Sequence, residues 1–369
     1  MDRQFINYEL RIQRARRSIL YGVLIISLFG ALLVYDASSV YAWFSFSDAM
    51  YFLKRQILFI ILGFILMTAM LKINLEYLRK YSKPLLIFGI GSLVLVLIFG
   101  SKVSGARRWF RLLGFGFQPS EFMKILFLLY LTDYFARKEK FMKNFAEGVL
   151  PVLIVTGLVS FLIFLEPDFG NAIFFGLLLF IFLFVSKVPK KYLLFFLSVF
   201  LALFILLVVS SPYRLARVLA YLNPWADSQG GGFQLVQSHI GLGSGGILGL
   251  GLGESRQKLF FLPAAHTDFI FSIIAEEFGF IGSFLVLFSY LFIFFQGLRV
   301  LRWTKDIFRF YLGWAVIMVI TFQALINISV VVGIFPTKGL PLPFISYGGS
   351  STIVSFMLLG LFLNATKET

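Results

Sequence analysis

Apolar residues run through this chain in long blocks, not in alternation with polar ones. Ten blocks have spanning length, at roughly 18–35, 55–71, 84–100, 121–136, 148–165, 169–186, 192–210, 269–298, 308–333 and 350–364. The pattern predicts an all-α polytopic membrane protein of ten transmembrane helices, a single integral membrane domain over residues 1–369 with a cytoplasmic tail at 1–17. The connections alternate in kind. Short ones are rich in lysine and arginine, as in LRKYSK and RKEKFMK, and longer ones are rich in glycine, proline and aromatics. With the N-terminus inside, roughly two thirds of the 33 lysines and arginines fall on the cytoplasmic side, as the positive-inside bias demands. Both termini are therefore expected in the cytoplasm. A long extracytoplasmic loop, 211–268, is expected between the seventh and eighth helices. The first block follows the basic segment MDRQFINYELRIQRARR and precedes further spans, so it reads as a retained helix and not a cleaved signal.

Composition narrows the class. With 59% hydrophobic residues and a mean hydropathy of +0.90, the chain lies far outside the range of soluble domains. A net charge of +15 would suggest nucleic acid in a soluble protein. Here the basic loops at membrane helix ends account for it, so membrane lipids and not nucleic acid are the expected partners. The absence of cysteine excludes disulfides, thiolate metal sites and cysteine nucleophiles.

Candidate chemistry concentrates in the longest polar interruption, Asn223 to Glu277. Its stretch GLGSGGILGLGLG contains Gly241-x-Gly243-x-x-Gly246, but no strand precedes that pattern, so a dinucleotide fingerprint is not indicated. The glycines read as turns and close backbone packing against the membrane part. His266-Thr267-Asp268 stand where the loop meets the eighth apolar block. Two readings of Asp268 stand side by side: a reactive carboxylate at the membrane surface, or, with Thr267, a cap for the helix that follows. Glu276 and Glu277 lie about 12–14 Å further along that helix, and helical spacing lets at most one of them share a cavity with Asp268. Glu121 and Lys124, three residues apart, are expected to form a structural ion pair. Lys338, in PTKGLPLP, can attract an anionic group such as a diphosphate or simply face solvent or lipid phosphate. Arg107, Arg108 and Arg111 beside Trp109 invite the same two readings, with interfacial anchoring as the plainer one. Neither histidine, His239 nor His266, has metal-ligand spacing, so no metal site is expected from protein ligands.

Four stretches carry a resemblance over nearly the whole chain: GARRW with QPSEFMK, EPDFG, QKLFFLPAAHTDFIFSIIAEE and PTKGLPLPFISYGGSS. Together they resemble the SEDS family of cell-wall polymerases, and the wording NPWAD, AHTDF and PTKG is most like its division branch. The resemblance implies a peptidoglycan glycosyltransferase that polymerises lipid II into β-1,4 glycan strands at the outer face of the cytoplasmic membrane. It implies a class B penicillin-binding transpeptidase and other division proteins as partners. Asp268 maps onto the family's essential aspartate and is expected to act as general base, with undecaprenyl diphosphate leaving. Lys338 and Arg108 are expected to meet substrate, as are Gln118, His266, Thr267 and Ser346 in the same motifs. Glu121, Lys124 and Glu276 are expected to be structural. A divalent cation, Mg or Mn, is expected only with the substrate's diphosphate. Phe260 and Ala264 stand where many relatives carry acids. An elongation-type polymerase, a lipid II flippase and a non-catalytic division scaffold are the competing readings.

Overall fold

A computed structural model of the protein describes residues 3–103, 105–112, 115–336 and 339–367. Lys338 therefore lies outside the described residues. Each of the ten apolar blocks falls on a helix: α1 Arg3–Phe46, α2 Tyr51–Lys72, α4 Ser82–Phe99, α5 Pro119–Lys138, α6 Leu150–Leu165, α7 Phe169–Val185, α8 Lys190–Val209, α11 Ile270–Leu301, α12 Ile307–Val332 and α13 Gly349–Ala365. A short α3, Leu75–Lys80, joins α2 to α4. Among the described residues, seven helical stretches are long and apolar enough to cross a membrane by length and composition, and α7 and α13 are shorter apolar helices. In α5, Glu121, Lys124, Asp133 and Arg137 interrupt an otherwise apolar run.

The polar connections hold more structure than the apolar pattern suggests. The loop at 211–268 contains two helices, α9 Pro212–Leu222 and α10 Phe233–Ser244. Between α4 and α5 the chain forms a three-stranded antiparallel sheet, β1 Ser101–Val103, β2 Ala106–Leu112 and β3 Phe115–Phe117. Ser101 pairs with Trp109, and Phe110 with Phe117. Gly100 ends α4, and Pro119 opens α5 at a position where its missing N–H costs nothing. The aromatic and basic residues of β2 suit a pleated strand with two unlike faces, a pattern that spanning blocks do not contain.

The described chain packs as two compact units. The first comprises residues 1–61, 203–296 and 320–348, and the second 62–202, 297–319 and 349–369. Within the first, α1 approaches the backbone at 344–345 closely. A Cβ added to Gly30 would fall 2.6 Å from the Ile345 Cα, so only glycine permits the contact. Within the second, α13 closes the end of α2. The Asn364 side chain donates to the carbonyls of Met70 at 2.8 Å and Ile73 at 2.7 Å, satisfying acceptors that the helix end leaves open.

Candidate active site

In the first unit, the glycine-rich segment is built into a break in α11. Gly279 has φ 64° and ψ −159°, which interrupts the helix and frees backbone groups from its hydrogen-bond ladder. The loop supplies their partners. Leu250 N–H donates to the Glu276 carbonyl and Gly251 N–H to that of Glu277, both at 3.0 Å. Phe280 N–H donates back to the Gly246 carbonyl at 2.9 Å. Every backbone polar group must find a partner at such depth, and the loop meets that demand. Gly249, at φ 85°, has no room for a side chain against the Glu277 carbonyl.

The two glutamates just before the break hold the next part of the loop. Glu276 accepts from the backbone N–H of Arg256 at 3.1 Å and of Gln257 at 3.3 Å, and from the Ser255 hydroxyl. Glu277 accepts from Ser255 N–H at 3.2 Å and from the Lys258 ammonium at 2.9 Å. Lys258 also reaches Asp36 of α1 at 2.7 Å. Helical spacing alone separated Glu276 from Glu277, yet both grip residues 255–258, because the loop lies across the helix there. Glu276 is thus structural through neutral donors, and the ion pair belongs to Glu277. Burial alone would depress the Lys258 pKa, but its two carboxylate partners outweigh that and raise it. Sequence reasoning missed Lys258 and Asp36. The available signal was a lone acid at the end of the first apolar block, which needs a cation once it is taken from water.

Beyond Lys258 the chain turns into His266-Thr267-Asp268 through strained backbone: Phe260 and Ala264 adopt φ 68° and 57°, a region costly for residues with a side chain. This turn is zipped to the segment 339–347. The Ser346 hydroxyl donates to the Thr267 carbonyl at 2.5 Å and accepts from Leu342 N–H at 2.9 Å. Tyr347 N–H donates to the His266 carbonyl at 3.0 Å. The buried Asn327 amide of α12 bridges the carbonyls of Asp268 at 2.8 Å and Leu340 at 2.7 Å. Asn327 and Tyr347 carried no local signal of this role, since their partners lie far away in sequence.

The His266 ring is packed among Phe52, Tyr347 and Tyr41, at centroid distances of 4.5, 5.8 and 6.0 Å. Burial among these rings pulls its pKa down to about 4, so it is neutral at pH 7 and offers no cation to a phosphate. The Thr267 hydroxyl is committed to the Ala264 carbonyl at 3.1 Å. The helix α11 starts at Ile270, directly after this turn. The Asp268 carboxyl is half-buried and backs onto Gly339, where an added Cβ would fall 2.8 Å from its Oδ2. The arrangement is a partly exposed carboxylate whose own backbone is held from α12 and from 339–347. Such a group can accept a proton from a polar ligand.

The second unit assembles the other candidate residues around the EPDFG turn. Arg108 donates to the carbonyls of Glu166 at 2.8 Å and Pro167 at 2.5 Å. Asp168 caps α7 through Asn171 N–H at 3.1 Å and receives the Gln118 amide at 3.4 Å. Gln118 N–H donates to the Ser350 hydroxyl at 3.0 Å. Part of the Arg108 guanidinium is therefore occupied in holding the turn. Glu166 is fully buried, and neither of its carboxyl oxygens has a partner among the described residues. Burial, with Asp168 nearby and Arg108 only partly offsetting it, pushes its pKa up to about 9, so it is neutral at pH 7. Glu121 and Lys124 pair at 2.7 Å, both buried.

The chain as a whole is similar to known proteins. Residues 16–369 match the family model described as cell cycle protein, FTSW_RODA_SPOVE. The chain is 39% identical to "Probable peptidoglycan glycosyltransferase FtsW" of Geobacter metallireducens, covering 98% of both chains. It is 38% identical to "Stage V sporulation protein E" of Bacillus subtilis, covering 93% of this chain and 94% of the relative. Among solved structures it resembles a chain of a peptidoglycan synthase complex that coordinates polymerization and crosslinking, with TM-score 0.77, 28% identity and coverage of 95% and 97%. It also resembles the rod shape determining protein RodA of Thermus thermophilus, with TM-score 0.70, 27% identity and coverage of 95% and 96%. With a partly exposed aspartate on a loop zipped to the 339–347 segment, and matched along nearly its whole length, the chain belongs to the FtsW, RodA and SpoVE family of cell cycle proteins.

Proposed function

We propose that the chain is a peptidoglycan glycosyltransferase that polymerises lipid II into β-1,4 glycan strands for cell division, with Asp268 as general base. The observation that carries this reading is the half-buried Asp268 carboxylate, held in place through its backbone by Asn327 and backed by Gly339. It is the only acid between Glu254 and Glu276, and Glu276 and Glu277 are already engaged with the loop. One base suffices for an inverting transfer. Asp268 takes the proton of the GlcNAc 4-hydroxyl of one lipid II as that oxygen attacks the anomeric carbon of the other chain's MurNAc. The undecaprenyl diphosphate leaves from the opposite face, carrying its electron pair as a stabilised anion.

Lys338 is assigned to the departing diphosphate. Arg108 contributes only through donors that the Glu166–Pro167 turn leaves over. A divalent cation, Mg or Mn, would be held mainly by phosphate oxygens, because no three His, Cys, Asp or Glu side chains are grouped to hold an ion among the described residues. The buried Glu121–Lys124 pair of α5 also meets α7, where the Lys124 ammonium lies 5.3 Å from the Phe174 ring, and such cross-helix packing suits a fixed framework better than a flippase path across the bilayer. The proposed partner is a class B penicillin-binding transpeptidase. The complex of polymerization with crosslinking in the related structure supports that pairing.

Gly339 provides a direct test. Gly339→Ala places a methyl 2.8 Å from the Asp268 Oδ2; a shift of about half an ångström relieves it, so polymerisation of purified lipid II is expected to fall by about 10-fold, where a ~1 Å misplacement would cost about 10²-fold. Protein yield and partner binding should match the parent. Full activity in Gly339→Ala would show that the carboxylate does not act from this position.

The active face is proposed to point outward, with ten crossings and both termini in the cytoplasm. The absence of cysteine lets single introduced thiols report their side. Lys102→Cys and Gln229→Cys, at exposed positions, should react with an impermeant thiol reagent applied to intact cells. Lys140→Cys and Lys190→Cys, also exposed, should react only after permeabilisation. Labelling of Lys140→Cys from outside would reverse the orientation.

A further inference from the structure

The second unit carries a cationic cavity that the polymerase reading does not use. It has a volume of about 350 Å³ and lies between α3, the start of α4 and the last turns of α5. Four cations line it, Arg79, Lys80, Lys83 and Arg137, against the two carboxylates of Glu76 and Asp133. The cavity is at the far end of the α4–α5 hairpin from the strands. The 18 residues of α4 separate the two ends, a rise of about 27 Å and close to one hydrocarbon thickness.

The two kinds of cation have different tasks. Asp133 is buried and already satisfied. It accepts from Ser82 at 2.9 Å, from Arg137 Nη2 at 2.8 Å, and lies 3.6 Å from Arg79 Nε. Arg79 is further held over the Phe308 ring at 5.3 Å. Arg137 engages Asp133 through Nε and Nη2, which leaves its Nη1 donors for an incoming acceptor. The arginines are thus pre-positioned, and their shared carboxylate does not neutralise the exposed lysines, Lys80 and Lys83. Glu76, 3.9 Å from Arg79 with its side chain 73% exposed, contributes little opposing field.

The setting indicates where the anion comes from. Tyr77 and Tyr81 beside the cavity are exposed, as aromatic residues are at headgroup depth. Between one and two turns along α4, the adjacent Ile87 and Phe88 are also exposed, at 68% and 72%, an apolar surface that acyl chains can cover. We propose that this cavity binds the phosphate headgroup of an acidic phospholipid from the leaflet opposite the β1–β3 side. The proposal rests on the membrane-spanning reading above but not on Asp268 or on polymerase activity.

Native mass spectrometry of the full-length protein, released from nanodiscs containing cardiolipin, phosphatidylglycerol or phosphatidylcholine, tests it. The parent should retain the acidic lipids and not phosphatidylcholine. Lys80→Gln with Lys83→Gln should retain them about 30-fold less, since each basic residue near an anionic surface is worth about 1 kcal/mol. Lys80→Arg with Lys83→Arg should restore retention, which separates lost charge from lost folding. Lys190→Gln with Lys191→Gln, an exposed basic pair elsewhere in the unit, should behave like the parent. Equal loss in both Gln pairs, or equal retention of phosphatidylcholine, would overturn a specific site. Displacement of the lipid by millimolar glycerol 3-phosphate would overturn the membrane source and assign the cavity to a soluble phosphate.

Discussion

Asp268→Asn is expected to insert and fold like the parent while polymerisation of purified lipid II falls by about 10²–10⁴. The substitution keeps size and polarity, and the bond that positions the residue runs from Asn327 to the backbone carbonyl, which the variant retains. What disappears is the capacity to take a proton. A positioned base is worth about 3–5 kcal/mol of barrier by that rate factor. His266 is packed among rings, and Glu276 and Glu277 are bound to residues 255–258, so these groups do not replace it. Asp268→Ala should be equally inactive, and partner co-purification should survive in both variants. Polymerisation within a factor of a few of the parent by Asp268→Asn would remove the general-base role.

The largest stability effect is expected at Lys258. Its ammonium is buried between Asp36 at 2.7 Å and Glu277 at 2.9 Å, with side-chain exposures of 7%, 15% and 0% respectively for Lys258, Asp36 and Glu277. Lys258→Met leaves two buried carboxylates facing each other without a cation. Breaking a buried pair in this way costs about 3–5 kcal/mol, and the thermal unfolding midpoint in detergent should fall accordingly. The Lys258 pKa is raised, so its contribution is fully present below the unfolded value near 10.5 and is lost only as pH rises through the higher folded value. The parent should thus show no loss from this group at neutral pH. Replacing the set together, Lys258→Met with Asp36→Leu and Glu277→Leu, should recover much of the stability, because no unmatched charge remains. An unchanged midpoint in Lys258→Met alone would show that water reaches the site and that the triad does not anchor the loop. If the triad does anchor it, activity should fall with stability, since residues 255–258 lead directly into the turn that carries Asp268.

The apolar blocks were legible because lipid imposes its own rule: a chain at that depth must satisfy its backbone locally, and a helix of the right length does so. Local chemistry was legible for the same reason. Glu121 and Lys124, three residues apart on one helix, meet by geometry alone. The motif residues around Asp268 could be placed in the loop, and their resemblance to a family pointed to the reaction. Partner choice was not legible. Lys258 finds Asp36 across 222 positions, and Gln56 reaches the Ser346 carbonyl across 290. The glycine-rich stretch read as close packing, but only the tertiary structure decided that its amides fill the break at Gly279 in α11. The small sheet at 101–117 escaped because strand pairing is a relation between segments, whereas the spanning pattern is a property of each one. Length, apolarity and neighbouring charge act along the chain and can be read from it. Which carboxylate meets water, which meets a lysine and which meets only backbone amides depends on contacts between distant segments, and these the folded chain alone determines.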